Sequence, residues 1–169
     1  MRIDLSQVAY KGQEVYLESV TQVKELDRCM EALTQACFAY CAKNPDMHSP
    51  SEVMSEIIHA INTDTDAFLY MAADGEFLGF FVCTVYKIGR GRTRFELQHG
   101  YAVPYAPRNM IPVVVKRMIT IAKQNGCDTF GFAMRMKRKR PVAMMRKLNI
   151  PGLVPLTIRF EKELNDDRG

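Results

Sequence analysis

Five cations, Arg135, Lys137, Arg138, Lys139 and Arg140, fall within six residues, and Arg146 and Lys147 follow within two helical turns. Guanidinium and ammonium groups packed this closely hold phosphate or carboxylate oxygens, and no aromatic side chain interleaves with them to stack a base. The bias is wider than this run. From Leu97 to Phe160 there are 12 Lys/Arg against one acid, Asp128, although the whole chain is only +4. A surface so divided predicts an anionic partner, which is a cofactor phosphate, an acidic protein or a nucleic acid. A solvated basic turn is the alternative that the residues leave open.

Glu96 is the second residue with usable chemistry. It alternates with Arg94 and Gln98 along a strand-like run, and a carboxylate on an open strand face can take a proton from an amine, directly or through water. Pairing with Arg94 or Lys87 is its structural alternative. The five cysteines (Cys29, Cys37, Cys41, Cys83, Cys127) lack CxxC spacing and stand mostly where an apolar residue would sit, so they read as reduced core residues. His48, His59 and His99 are too dispersed in sequence to signal a metal cluster, and no metal is expected.

Positioning these groups takes one ordinary globular domain. With 169 residues, 47% hydrophobic and 25% charged, the chain can bury about two-thirds of the surface it exposes when unfolded. The domain is expected over residues 1–164, with 165–169 as a disordered tail. The N-terminus interleaves charged with apolar residues and no run approaches ~18 apolar residues, so neither a leader nor a membrane span is expected, and the protein reads as cytoplasmic.

A first strand is expected at Glu14–Val20. Leu26, Met30, Leu33, Cys37 and Tyr40 at helical spacing predict one helix over Val23–Ala42. Ser49, Pro50 and Glu52 form a capping-box start for a second helix carrying Val53, Ile57, Ile58 and Ile61. Phe68–Ala73 and Glu76–Tyr86 read as a hairpin turned at Asp74-Gly75. The next strand, Thr93–Val103, would put Phe95, Leu97, His99, Tyr101 and Val103 on one face unless a bulge changes the alternation. A helix then starts near Ile111-Pro112 and ends at Asn125-Gly126. Cys127–Met134 follows as a buried strand, Pro141–Leu148 as a short helix and Leu153–Leu164 as a last strand. The strands that bracket the Ile111–Gln124 helix should be parallel, since a crossover of that length joins them.

This order of elements resembles the GNAT acyltransferase superfamily over nearly the whole chain. Tyr101-Ala102-Val103-Pro104 looks like the end of that family's fourth strand, just before its acyl-CoA loop. The resemblance implies an α/β fold: a GNAT-like mixed, mostly antiparallel sheet with a splayed parallel strand pair and flanking helices. It also implies an acetyltransferase-like activity using acetyl-CoA or another acyl-CoA. Val103, Arg108, Asn109, Met110 and Ile111 would then surround the cofactor, and Glu96, six residues before Ala102, would be the general base. The family places glycines where a helix N-terminus meets the pyrophosphate. Here Met110 and Pro112 stand at those positions, and the helix over 142–148 lacks the tyrosine that many relatives use as general acid. Weak or absent acyl-CoA binding is therefore expected. Loops without these glycines also resemble those of GNAT-like proteins encoded by bacteriophages. A non-catalytic GNAT-fold binding protein, virion-associated or binding a host factor in the host cytoplasm, is thus the alternative, followed by a nucleic-acid-binding module.

If the basic run holds a polyanion, replacing Lys137, Arg138, Lys139 and Arg140 by serine should weaken association. It should also flatten the salt dependence, because fewer counterions are displaced. Binding to DNA, RNA and heparin measured at low and physiological salt checks this; wild-type behaviour throughout would make the run a solvated turn.

Overall fold

The structure is a computed structural model, and it describes residues 2–44, 48–64, 66–73, 75–107 and 109–132. These belong to one compact unit, Met1–Arg135. The expected helix over 141–148, the strand over 153–164, the tail, Arg108 and the basic run from Arg135 to Arg140 lie outside the described residues.

Six strands form one sheet in the order of the chain: β1 (Arg2–Tyr10), β2 (Gln13–Val20), β3 (Asp66–Ala73), β4 (Glu76–Lys87), β5 (Thr93–Ala102) and β6 (Thr129–Phe132). Every neighbouring pair is antiparallel except β5 and β6, which run parallel. Helices α1 (Met30–Lys43) and α2 (Pro50–Ile61) join β2 to β3, and α3 (Met110–Gln124) makes the crossover from β5 to β6. The expected α/β architecture is therefore present, with its parallel pair where the crossover argument put it.

Two elements differ from the sequence reading. The sheet begins one strand earlier, with β1 paired to β2 through a tight turn in which Lys11 (φ 51°) and Gly12 (φ 79°) both take left-handed backbone. Period-two alternation hides β1. Its pairing shifts between Asp4 and Ala9, so Ile3, Leu5 and Val8 are all buried although they do not share one parity. The single helix expected over Val23–Ala42 is broken. A 3-10 segment (Val23–Arg28) ends at Cys29 (φ −131°, ψ 6°) before α1 starts. The break turns the chain while keeping Leu26, Leu33 and Cys37 buried on one core.

The capping box of α2 forms as expected. The Glu52 N–H donates to Ser49 Oγ (3.3 Å) and the Ser49 N–H to Glu52 Oε2 (2.6 Å). It fixes where the chain enters α2, and hence where His48 stands.

The sheet separates two cores. Leu33, Cys37, Val53 and Ile57 of α1 and α2 pack on Phe68, Phe80, Val82 and Tyr101. Met110, Val114, Met118 and Ala122 of α3 pack on Leu17, Leu78, Phe81 and Phe95 on the other face. Central β4 is buried from Phe77 to Cys83 because alternate residues serve opposite cores.

One irregularity in β5 matters most. Cys83 pairs with Leu97 but Val82 pairs with His99, so Gln98 is an extra residue. Phe95 and Leu97 consequently join the α3 core, whereas Tyr101 lies on the α1/α2 side. The expected continuous face from Phe95 to Val103 is corrected: the bulge divides it after Leu97.

All five cysteines are free, and all but Cys127 are buried. Burial pushes the Cys37 thiol up to about 11 and the Cys83 thiol up to about 12. In native protein at pH 8, iodoacetamide should label Cys127 well ahead of the other four, and denaturation should equalise them. Both raised thiols stay protonated in the fold while their unfolded counterparts ionise near pH 9, so the unfolded chain binds fewer protons above that pH. Their contribution should leave stability intact below about pH 9 and lower it progressively toward pH 12. Urea unfolding across that range measures it, and the slope should shrink in Cys83→Ala.

Candidate active site

The parallel pair is clamped at its start. The Thr93 N–H donates to Asp128 Oδ2 (2.7 Å), and the Asp128 N–H donates back to Thr93 O (2.9 Å). The single acid of the basic half therefore has a structural partner. Arg94 to Leu97 then pair with Thr129 to Phe132. Among the described residues this pairing ends where the Gln98 bulge begins, and β5 continues to Ala102 alongside β4 alone.

The chain beyond β5 leads into the start of α3. The Val103 N–H donates to Leu78 O (3.1 Å), and Val103 O accepts from the Ala106 N–H (3.0 Å). The Met110 N–H donates to Pro107 O (3.0 Å), and the Met110 side chain is fully buried in the α3 core rather than turned toward the loop. Asn109 is the residue before the helix, with αR backbone and no side-chain capping bond. Helix geometry leaves four amides at this end without an intrahelical acceptor. Pro112 has no N–H and Met110's is engaged, so at most those of Asn109 and Ile111 remain for an anion. No acid occupies the first turn of α3, and the helix dipole favours negative charge there.

Glu96 faces the α1/α2 side of β5, opposite Thr84 of β4. Its Oε2 accepts a hydrogen bond from Tyr86 Oη and lies 3.0 Å from Arg94 Nε, an ion pair without hydrogen-bond alignment. The hydrogen bond to Glu96 raises the Tyr86 phenol above its usual range. Arg94 crosses Gly131 of β6 so closely that a Cβ there would overlap the guanidinium. The glycine is what lets Arg94 lie beside Glu96.

Because of the bulge, His99 shares this face, and it is a buried polar residue. Its Nδ1 is 3.0 Å from Tyr40 Oη on α1, and its Nε2 bonds Glu56 Oε2 on α2. His48, just before α2, puts its ring edge-on to His99 (centroids 4.7 Å apart) and its Nδ1 3.9 Å from Glu56 Oε1. Burial pushes the Tyr40 phenol up. Asp66, which accepts from Thr84 Oγ1 and lies 3.9 Å from His59, stands on the same rung of the sheet as Glu96, with Thr84 between them.

Of the residues the sequence singled out, the fold thus places Glu96 on the α1/α2 face, and Val103, Asn109, Met110 and Ile111 around the start of α3. The sequence reading set His48 and His99 aside as too dispersed, took Tyr40 only as part of a helix face and did not weigh Glu56. Their separations carry no motif, and straight alternation assigns His99 to the wrong face.

No family model matches the sequence, and no curated protein matches it. Solved structures do resemble the fold. One is an aminoglycoside N-acetyltransferase in complex with CoA, with a TM-score of 0.66 and 10% identity, covering 94% of this chain and 100% of that one. Another is an aminoglycoside acetyltransferase from an uncultured soil metagenomic sample, in complex with sisomicin (TM-score 0.63, 8% identity, 89% and 97% covered). A transcriptional regulator from Bacillus halodurans C-125 is also similar (0.60, 14%, 86% and 99%). At these identities the likeness shows a GNAT-like fold. Among the described residues no helix is long and apolar enough to cross a membrane.

The close approach of Arg94 to Gly131 can be tested by a double-mutant cycle. Gly131→Ala should cost about 1–3 kcal/mol in the wild-type background, as overpacking does, and much less beside Arg94→Ala. Urea unfolding of the four proteins checks it, and strictly additive losses would show that Arg94 is not what the glycine accommodates.

Proposed function

We propose that this chain is a divergent acyl-CoA-dependent N-acyltransferase-like protein with weak cofactor affinity. The observation that carries the reading is the parallel pair itself. Its two strands are joined through α3, and the chain leaving β5 at Ala102 enters the N-terminus of that helix. A thioester lying beside the end of β5 would have its phosphates near the amides of Asn109 and Ile111, with Arg108 as a further donor. That a similarly folded acetyltransferase is found in complex with CoA supports the choice of ligand.

In this reading the acceptor amine approaches on the α1/α2 side, where Glu96 takes its proton directly or through water. Tyr86 and Arg94 hold the carboxylate in one orientation. The charge of Arg135 to Arg140 supports an anionic partner as well, whether a cofactor phosphate, an acidic protein or a nucleic acid. The cytoplasm is where acyl-CoA would be met.

A second reading is favoured by the start of α3, where Pro112 and the engaged Met110 amide leave few donors. It is a GNAT-fold protein that binds a partner without chemistry, as a phage virion component or host-factor ligand would.

Calorimetry with acetyl-CoA carried to millimolar ligand separates the two, with saturable heat expected on the first reading and none on the second. Little heat is expected at micromolar ligand; sub-micromolar binding abolished by Arg108→Ala would overturn the weak-affinity reading. If turnover with an amine panel is found, Glu96→Gln should lower kcat about 10²–10⁴-fold. Its melting temperature should move by no more than about 4 °C, because a partly exposed ion pair contributes little. An unchanged kcat across the pH range removes Glu96 from the mechanism.

A further inference from the structure

We propose that His48, Glu56 and His99 form a binding site for one divalent transition-metal ion of the zinc class. The three come from separate elements: the residue preceding the α2 capping box, the exposed flank of α2, and β5 just past its bulge. One donor atom from each lies within 4.8 Å of the others. Tetrahedral bonds of about 2.1 Å to a shared ion hold ligand atoms about 3.4 Å apart, so closing the widest pair needs relative movement of about 1.4 Å.

Glu56 already spans the two imidazoles. Its Oε1 faces His48 Nδ1 at 3.9 Å, and its Oε2 bonds His99 Nε2. Among the described residues no Lys or Arg pairs with this carboxylate, so its ion-pair partners there are the two histidines. A cation between them would supply the charge that neutral imidazoles lack.

Tyr40 supplies the outer support that ligating histidines use. With Nδ1–H donating to Tyr40 Oη (3.0 Å), the lone pair of His99 Nε2 is directed at Glu56 and available to a metal. Without metal the roles reverse: Nε2–H donates to Glu56 and Tyr40 donates to Nδ1. The same geometry therefore satisfies both states.

Two imidazoles and one carboxylate select zinc and its neighbours in the transition series over magnesium or calcium, which prefer all-oxygen shells. Three protein ligands leave at least one coordination position open. It would face outward, since side-chain exposure rises from 6% at His99 through 21% at His48 to 46% at Glu56. The site does not depend on the acyltransferase reading, and its test reads metal binding rather than turnover.

The full chain, stripped with chelator and titrated with zinc chloride by calorimetry, should take up one ion at micromolar or tighter affinity and gain in melting temperature. His48→Ala and Glu56→Gln should each weaken binding at least tenfold, while His59→Ala, on the same helix but outside the set, should not. Both weakening substitutions are on partly exposed positions, so circular dichroism can establish that the fold persists. Cobalt(II) should give visible absorption of a nitrogen and oxygen site without thiolate charge-transfer bands. No uptake, affinity unchanged in folded His48→Ala, equal loss in His59→Ala, or thiolate bands pointing to the cysteines would each overturn the proposal.

Discussion

The extra residue at Gln98 sets the geometry on which both sides of the sheet depend. A strand that alternates without interruption must place Leu97 and His99 on one face. With Gln98 between them on β5 and their partners Cys83 and Val82 adjacent on β4, Leu97 goes to the α3 core and His99 to the α1/α2 side. The same irregularity brings His99 and Tyr101 to the face that carries Glu96.

The other constraints act on that face. Asp128 anchors the start of β6 to Thr93, so the register that brings Gly131 under Arg94 does not slip. Arg94 then lies beside Glu96, and Tyr86 closes the carboxylate from β4. On the helix side, the capping box fixes the first turn of α2, which sets His48 and Glu56 relative to His99. Each polar group is held by a neighbour from a different element. Loss of one contact would therefore be felt across the sheet rather than locally.

The start of α3 is built differently from a tight anion cradle. Met110 contributes its side chain to the core and its amide to Pro107, and Pro112 contributes no donor. What remains is the helix dipole and at most the two amides of Asn109 and Ile111.

Local sequence was enough for whatever depends on neighbouring residues. Ser49 to Glu52 is a contiguous cap, the run after Asn109 is a helix by its period, and a helix between two strand-like runs requires them to be parallel. The order of these elements carried the GNAT-like fold, and the residues around Val103 to Ile111 could be placed at the start of α3. β1, the break at Cys29 and the division of β5 were not legible, because each is an irregularity that the pairing partner, not the strand or helix itself, imposes. The polar cluster was hidden for a further reason. His48, Glu56 and His99 are separated along the chain, and only the folding of α2 onto a bulged β5 brings their donor atoms together. Sequence periodicity determined which residues could face a core; the register of β5 against β4 decided which core, and therefore which side chains meet.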